Sequence, residues 1–131
     1  MREIKFRVWD KTHKCWLENF VIYQYGNVSS SGVWLQEKEV VIEQFTELKD
    51  KNGKDIYEGD LINLSYPSFA SHTRAGEIKY KGCEVVYESE AGAFCVKEPV
   101  LGGSSALIPL VTERMYILEV IGNIHENPNL P

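Results

Sequence analysis

At 131 residues the chain has the length of one domain, and its 44 % hydrophobic and 25 % charged residues match ordinary globular usage rather than a disordered polymer. A net charge of −5 repels nucleic-acid phosphates, which argues against a DNA-coating role and against tight binding to duplex DNA. Cys15, Cys83 and Cys95 are too few and too far apart for a disulfide scaffold, no apolar leader follows Met1, and no apolar run reaches the ~20 residues of a membrane span, so a reducing cytoplasm is the expected setting.

Ile4, Phe6 and Val8 alternate with Lys5 and Arg7, the period-two pattern of a strand with one buried face. Asp10 to Lys14 reads as a polar turn, and Trp16 to Tyr25, rich in aromatic and β-branched residues, completes a hairpin. Around that turn Arg2, Lys5, Arg7, Lys11 and Lys14 outnumber Glu3 and Asp10, a local basic face in an acidic chain. Gly26 to Gly32, with three successive serines, reads as a mobile loop. Val33 to Leu35 and Glu39 to Phe45 are extended runs, and Thr46 to Lys49 is read as one helical turn capped by Thr46.

Asn52 and Gly53 form a tight-turn signal, since both tolerate the positive φ of a sharp reversal; Lys49, Asp50, Lys51, Lys54 and Asp55 around them read as a solvated tip. Tyr57 to Asp60 is a second reversal at Gly59, and Leu61 to Leu64 resumes as an apolar strand. Ser65 to Ala75 lacks any period and reads as a long exposed connection. Gly76 to Tyr80, Val85 to Tyr87 and Phe94 to Lys97 give a meander, Leu101 to Pro109 an irregular stretch, and Tyr116 to Ile124 a long β-branched run with Gly122 at a bulge. That last run is the most apolar candidate for a sheet edge open to pairing.

Three blocks, Met1 to Asp10, Phe45 to Ile62 and Glu119 to Pro128, resemble the YopX family of small phage- and prophage-encoded proteins. The resemblance implies a mainly β fold and a phage origin; it brings no catalytic residue and no reaction with it. Glu47 stands where relatives commonly carry glycine, so a backbone that needs positive φ there is strained in this chain.

Candidate binding residues follow from the same blocks: Trp9 and Asp10 in the first, Tyr57, Glu58 and Asp60 in the second. The carboxylates of Asp10, Glu58 and Asp60 are the groups a glycosidase-type acid and base would use. Turn carboxylates more often accept nearby backbone N–H bonds, so no catalytic residue is assigned, while Asn52, Gly53, Gly59 and Gly122 are read as structural turns. His13 and Cys15 share a strand face but supply too few ligands for a metal site, and no oxyanion hole accompanies the thiol. Gly102 to Ser105 lacks the lysine and strand-to-helix context of a phosphate-binding loop. No metal or cofactor is expected.

The expected architecture is a single domain over residues 1–131, with one core: a small, partly open SH3-like β-barrel with long loops and at most short helical turns. The alternative is an α+β fold with a meander sheet. The expected role is a non-enzymatic interaction or assembly module that self-associates or meets a phage or host protein. The rivals are an enzyme using Asp10, Glu58 and Asp60, and a single-strand nucleic-acid reader on the basic N-terminal strand, where aromatic rings could stack on bases.

Overall fold

The computed structural model describes residues 3–67, 77–99, 105–109 and 117–128. The fold is mainly β, with antiparallel sheets, one of them curled into a half-barrel. Helix among the described residues is confined to one 3-10 turn, Glu37–Glu39, so the α+β alternative does not hold. The chain divides into two compact units, Met1–Phe45 and Thr46–Pro131, each with its own apolar cluster. Among the described residues the buried apolar side chains gather into two clusters, one within each unit.

In the first unit β1 (Phe6–Asp10) pairs with β2 (Cys15–Trp16) as a hairpin. β3 (Phe20–Ile22), β4 (Val28–Ser30) and β5 (Val33–Leu35) form a second, three-stranded sheet in that order. β6 (Val40–Lys49) then runs antiparallel to β1, with Val8 opposite Ile42 and Trp9 opposite Val41. Val8, Val28, Leu35 and Val40 form the buried cluster, with Leu17, Phe20, Ile22 and Ile42 packed on it.

The serine-rich segment expected to be a loop is therefore the central strand of a sheet. Val28 is fully buried there, with Ile22 and Leu35 as its cross-strand partners. Short serine side chains leave the ladder free to form, and the chain reverses beside them at Gly26, Ser31 and Gly32, all with positive φ.

In the second unit β7 (Asp55–Tyr57) pairs with the end of β6. β8 (Asp60–Pro67), β9 (Glu77–Glu88), β10 (Ala93–Pro99), β11 (Ser105–Pro109) and β12 (Ile117–Asn123) make a five-stranded sheet in the order β11-β10-β9-β8-β12. Ile56, Ile62, Leu64, Cys83, Val85 and Val96 are its core, with Leu118 at the margin. The expected irregular stretch before Pro109 thus contributes a strand paired with β10. Of the expected connection from Ser65 to Ala75, Ser65, Tyr66 and Pro67 instead end β8, paired with β9, and the remainder lies outside the described residues, as do Gly102, Gly103 and Ser104.

Thr46 does not cap a helical turn. It lies within β6, its hydroxyl donating to the Ile56 carbonyl at 2.7 Å and accepting the Leu48 N–H at 3.2 Å. Between them Glu47 adopts a φ of 73°, the left-handed backbone that the glycine of the family pattern would take without strain. The hydroxyl stands in for a ladder partner where the strand kinks.

Candidate functional site

Asp10 ends β1 and is buried, and its carboxylate organises the β1–β2 turn. Oδ1 accepts the N–H groups of Thr12 and His13, and Oδ2 meets the His13 Nδ1 at 2.8 Å. Burial acts to raise the Asp10 pKa, but the His13 side-chain and backbone bonds, the Thr12 N–H and the His13 charge together outweigh it and hold the group below its ordinary 3.8. Cys15 is the cross-strand partner of Asp10, yet its thiol forms no hydrogen bond with His13. The hairpin thus holds an oriented imidazole without a nucleophile coupled to it.

Trp9 is buried on the opposite face of the same strand pair, edge-on to Trp16 with ring centroids 4.9 Å apart. Arg7 lies over Trp16 at 4.4 Å and donates from Nε to the buried Glu43 carboxylate at 2.9 Å. Lys5 pairs with Glu3 and lies 4.5 Å over the Phe45 ring. Two residues of the basic face seen in the sequence, Lys5 and Arg7, are in this way matched by carboxylates and rings of the same unit, while Arg2 lies outside the described residues.

In the second unit Tyr57, Glu58, Gly59 and Asp60 form the β7–β8 reversal. The Asp60 carboxylate, 2 % exposed, accepts the Tyr57 N–H at 2.8 Å. Gly59 has a φ of 83°; its N–H donates to the Val85 carbonyl and its own carbonyl accepts the Ile124 N–H. That backbone ties the turn to β9 and to the chain leaving β12. At the preceding reversal Gly53 has a φ of 80° and donates to the Asp50 carbonyl. Gly122 follows a register shift in β12, where Val120 faces Ile62 and Gly122 faces Leu61.

Asp50 is not part of a solvated tip. Only 7 % exposed, it accepts from Asn52 and Lys54 on Oδ1 and from Val120 on Oδ2. Burial raises its pKa, but the Val120, Lys54 and Asn52 N–H groups and the Lys54 charge outweigh that and lower it. The neighbouring Lys51 N–H donates to the Leu118 carbonyl at 2.8 Å. The turn therefore covers part of the free side of β12, the edge that the sequence marked as open.

The most exposed aromatic surface among the described residues lies elsewhere, on the outer face of the β3-β4-β5 sheet. Val21, Ser29 and Trp34 are directly opposite one another across the three strands. Trp34 is 63 % exposed, with the Tyr23 ring 4.7 Å away and the Tyr23 hydroxyl 3.3 Å from Ser29 Oγ; Tyr25, 80 % exposed, follows in the β3–β4 turn. Sequence reasoning passed over this surface by treating β4 as a loop. The signal was present in the alternation of Val33, Trp34 and Leu35, whose middle member must face away from a core that takes the third.

No cluster of three or more His, Cys, Asp or Glu side chains among the described residues is arranged to hold a metal ion. Nor is any helix among them long and apolar enough to cross a membrane.

The fold recurs in known proteins. The crystal structure of protein EF1440 from Enterococcus faecalis matches with a TM-score of 0.53 at 28 % identity, over 97 % of this chain and 96 % of that one. The YopX protein of Bacillus subtilis matches with a TM-score of 0.57 at 19 % identity over 96 % of each chain, a likeness of fold. A search of curated proteins finds no match. The model of the YopX protein family matches residues 5–130, across both units, and the chain belongs to that family.

Proposed function

We propose that the protein is a non-enzymatic interaction module of phage or prophage origin, acting in the cytoplasm of the host cell and associating with a second copy of itself through the outer face of the β3-β4-β5 sheet. The observation that carries this reading is the exposed row of Val21 and Trp34 with Tyr23 against it. Large rings left in water on one small sheet are what the centre of a protein interface is made of. The sheet also has two edge strands, β3 and β5, available for pairing.

The rival readings have weaker support. Asp10 and Asp60 each accept a backbone N–H of their own turn, which is structural work for a carboxylate. Arg7 is held by Glu43 and Trp16, which lowers what the N-terminal strand could offer a phosphate backbone.

The test is light scattering at roughly 10–100 µM, a range in which interfaces of micromolar strength are populated. The parent is expected to exceed monomer mass, and a Trp34→Ser, Tyr23→Ser variant with an unchanged circular dichroism spectrum to return to monomer. A monomeric parent, or a double variant that still associates, overturns the reading.

A further inference from the structure

On the five-stranded sheet, side chains alternate between the buried cluster and an outer face, and the outer face of β8, β9 and β12 forms a groove of about 240 Å³. Tyr80, Leu64 and Leu118 align across the three strands toward the core. Lys79, Ser65 and Ile117 align across the same strands on the other side, beside Asn63 and its partner Glu119. Lys51, from the Asp50 turn, closes one end, 3.6 Å from the Glu119 carboxylate.

The local structure of β9 is irregular at this place. Leu64 faces Tyr80 while Ile62 faces Cys83, so β9 carries one extra residue around Lys81 and Gly82. Gly82 has a φ of 65°, and its N–H donates to Asn63 Oδ1 at 3.1 Å. With that oxygen engaged, the Asn63 amide retains its two N–H donors. Bulges of this kind re-aim side chains and accumulate beside binding sites.

Three ammonium groups therefore border one concavity in a chain whose net charge is −5. One of them is balanced by Glu119; Lys79 and Lys81 have no ion-pair partner among the described residues. Their Cα atoms, two residues apart on a strand, are rooted about 7 Å from one another. An acidic protein gains nothing in folding from two unpaired like charges at one rim, and an anion between them removes the repulsion. Hydroxyl and amide donors with lysine charges match a phosphate group, and the exposed Ile117 side chain offers apolar contact to whatever carries it.

We propose that this groove binds a small phosphate-bearing ligand, held by Lys79 and Lys81 with Asn63 and Ser65 as neutral donors. Its volume lies below the ~300–1,000 Å³ of sites for drug-sized molecules, which selects a free phosphate or a compact phosphate ester. A nucleic-acid strand is disfavoured, because few lysines release few counterions and Glu119 opposes a polyanion. The site shares no residue with the aromatic face on which self-association rests.

The experiment is a two-dimensional amide NMR titration of the full chain with inorganic phosphate, ribose 5-phosphate and an eight-residue oligothymidylate. Saturable shifts at Asn63, Ser65, Lys79 and Lys81, with a dissociation constant on the order of 1 mM or tighter, are expected for at least one of the two small probes. Equal affinities assign the site to the free ion, and tighter ribose 5-phosphate assigns it to an ester. Lys79→Gln with Lys81→Gln should weaken binding about tenfold or more at an unchanged melting temperature. Lys38→Gln with Lys97→Gln, which makes the same change in net charge elsewhere, should leave it intact. Shifts that do not saturate or that fall elsewhere, equal losses in both double variants, or tighter binding of the oligonucleotide than of either small probe would overturn the proposal.

Discussion

The Asp50 carboxylate accepts the Val120 backbone N–H at 2.9 Å, joining residues 70 apart in sequence, and with the Lys51-to-Leu118 backbone bond it fastens the β6–β7 turn to the side of β12 away from β8. A strand edge that would invite another chain is partly satisfied within the molecule. One side chain thus fixes a local turn through Asn52 and Lys54 and protects a sheet edge through Val120.

Asp50→Ala is accordingly expected to be among the most damaging single substitutions in the turn regions. It leaves three N–H groups without their acceptor, at a cost of about 3 kcal/mol if water reaches part of the site. Urea unfolding should show a lower midpoint, and light scattering should show association beyond that of the parent as the β12 edge opens. Asp50→Asn keeps an acceptor oxygen and should lose less.

Acid should act through the same groups. Asp10 and Asp50 both have pKa values lowered in the folded state, so each contributes stability that is complete above the unfolded carboxylate pKa of about 4 and is lost as pH falls through the lower folded value. The unfolding midpoint should hold steady from neutral pH to about 5 and fall steeply below about 4. An Asp10→Asn, Asp50→Asn variant starts lower but should lose less over the acid range. A parallel fall in parent and variant would mean that other carboxylates govern the transition.

How much of this was legible depended on the distance over which each residue acts. Period-two alternation marked β1 and the start of β9, an apolar run marked β8, and the Asn52–Gly53 and Gly59 signals marked reversals, because backbone sterics at a turn involve only adjacent residues. Asp50 was misread because its sequence neighbours are lysines, while the Val120 N–H that accounts for its burial comes from the far end of the unit. The helical reading of Thr46 failed for a related reason. A hydroxyl that can cap a helix can equally bond the Ile56 carbonyl across a strand pair. The aromatic face of β3-β4-β5 and the lysine groove on β8, β9 and β12 depend on strand neighbours that no single segment reveals.

Glu47 gives a prediction of opposite sign. Its φ of 73° costs a side-chain-bearing residue about 1–2 kcal/mol, and glycine recovers that while losing part of it to greater freedom in the unfolded chain. Glu47→Gly should therefore stabilise the protein by about 0.5–1 kcal/mol, whereas Glu47→Ala, which keeps the Cβ, should not. Chemical denaturation of the two variants side by side is the measurement; a gain from alanine equal to that from glycine would assign the effect to the lost carboxylate.

Gly59 and Asp60 decide whether the β7–β8 reversal serves the fold or a ligand. Gly59→Ala must place a Cβ on a backbone at φ 83° whose N–H and C=O are both committed, to Val85 and Ile124, so the chain has little freedom to relax. A loss of about 2 kcal/mol is expected. Asp60→Ala removes the buried acceptor of the Tyr57 N–H and should cost about 1–2 kcal/mol. Both losses should appear in the melting temperature, while self-association and phosphate-probe binding, measured below the transition, stay at parent values. The opposite pattern for Asp60→Ala, an unchanged melting temperature with loss of association or of ligand binding, would move Asp60 and its neighbour Glu58 from the fold to the function.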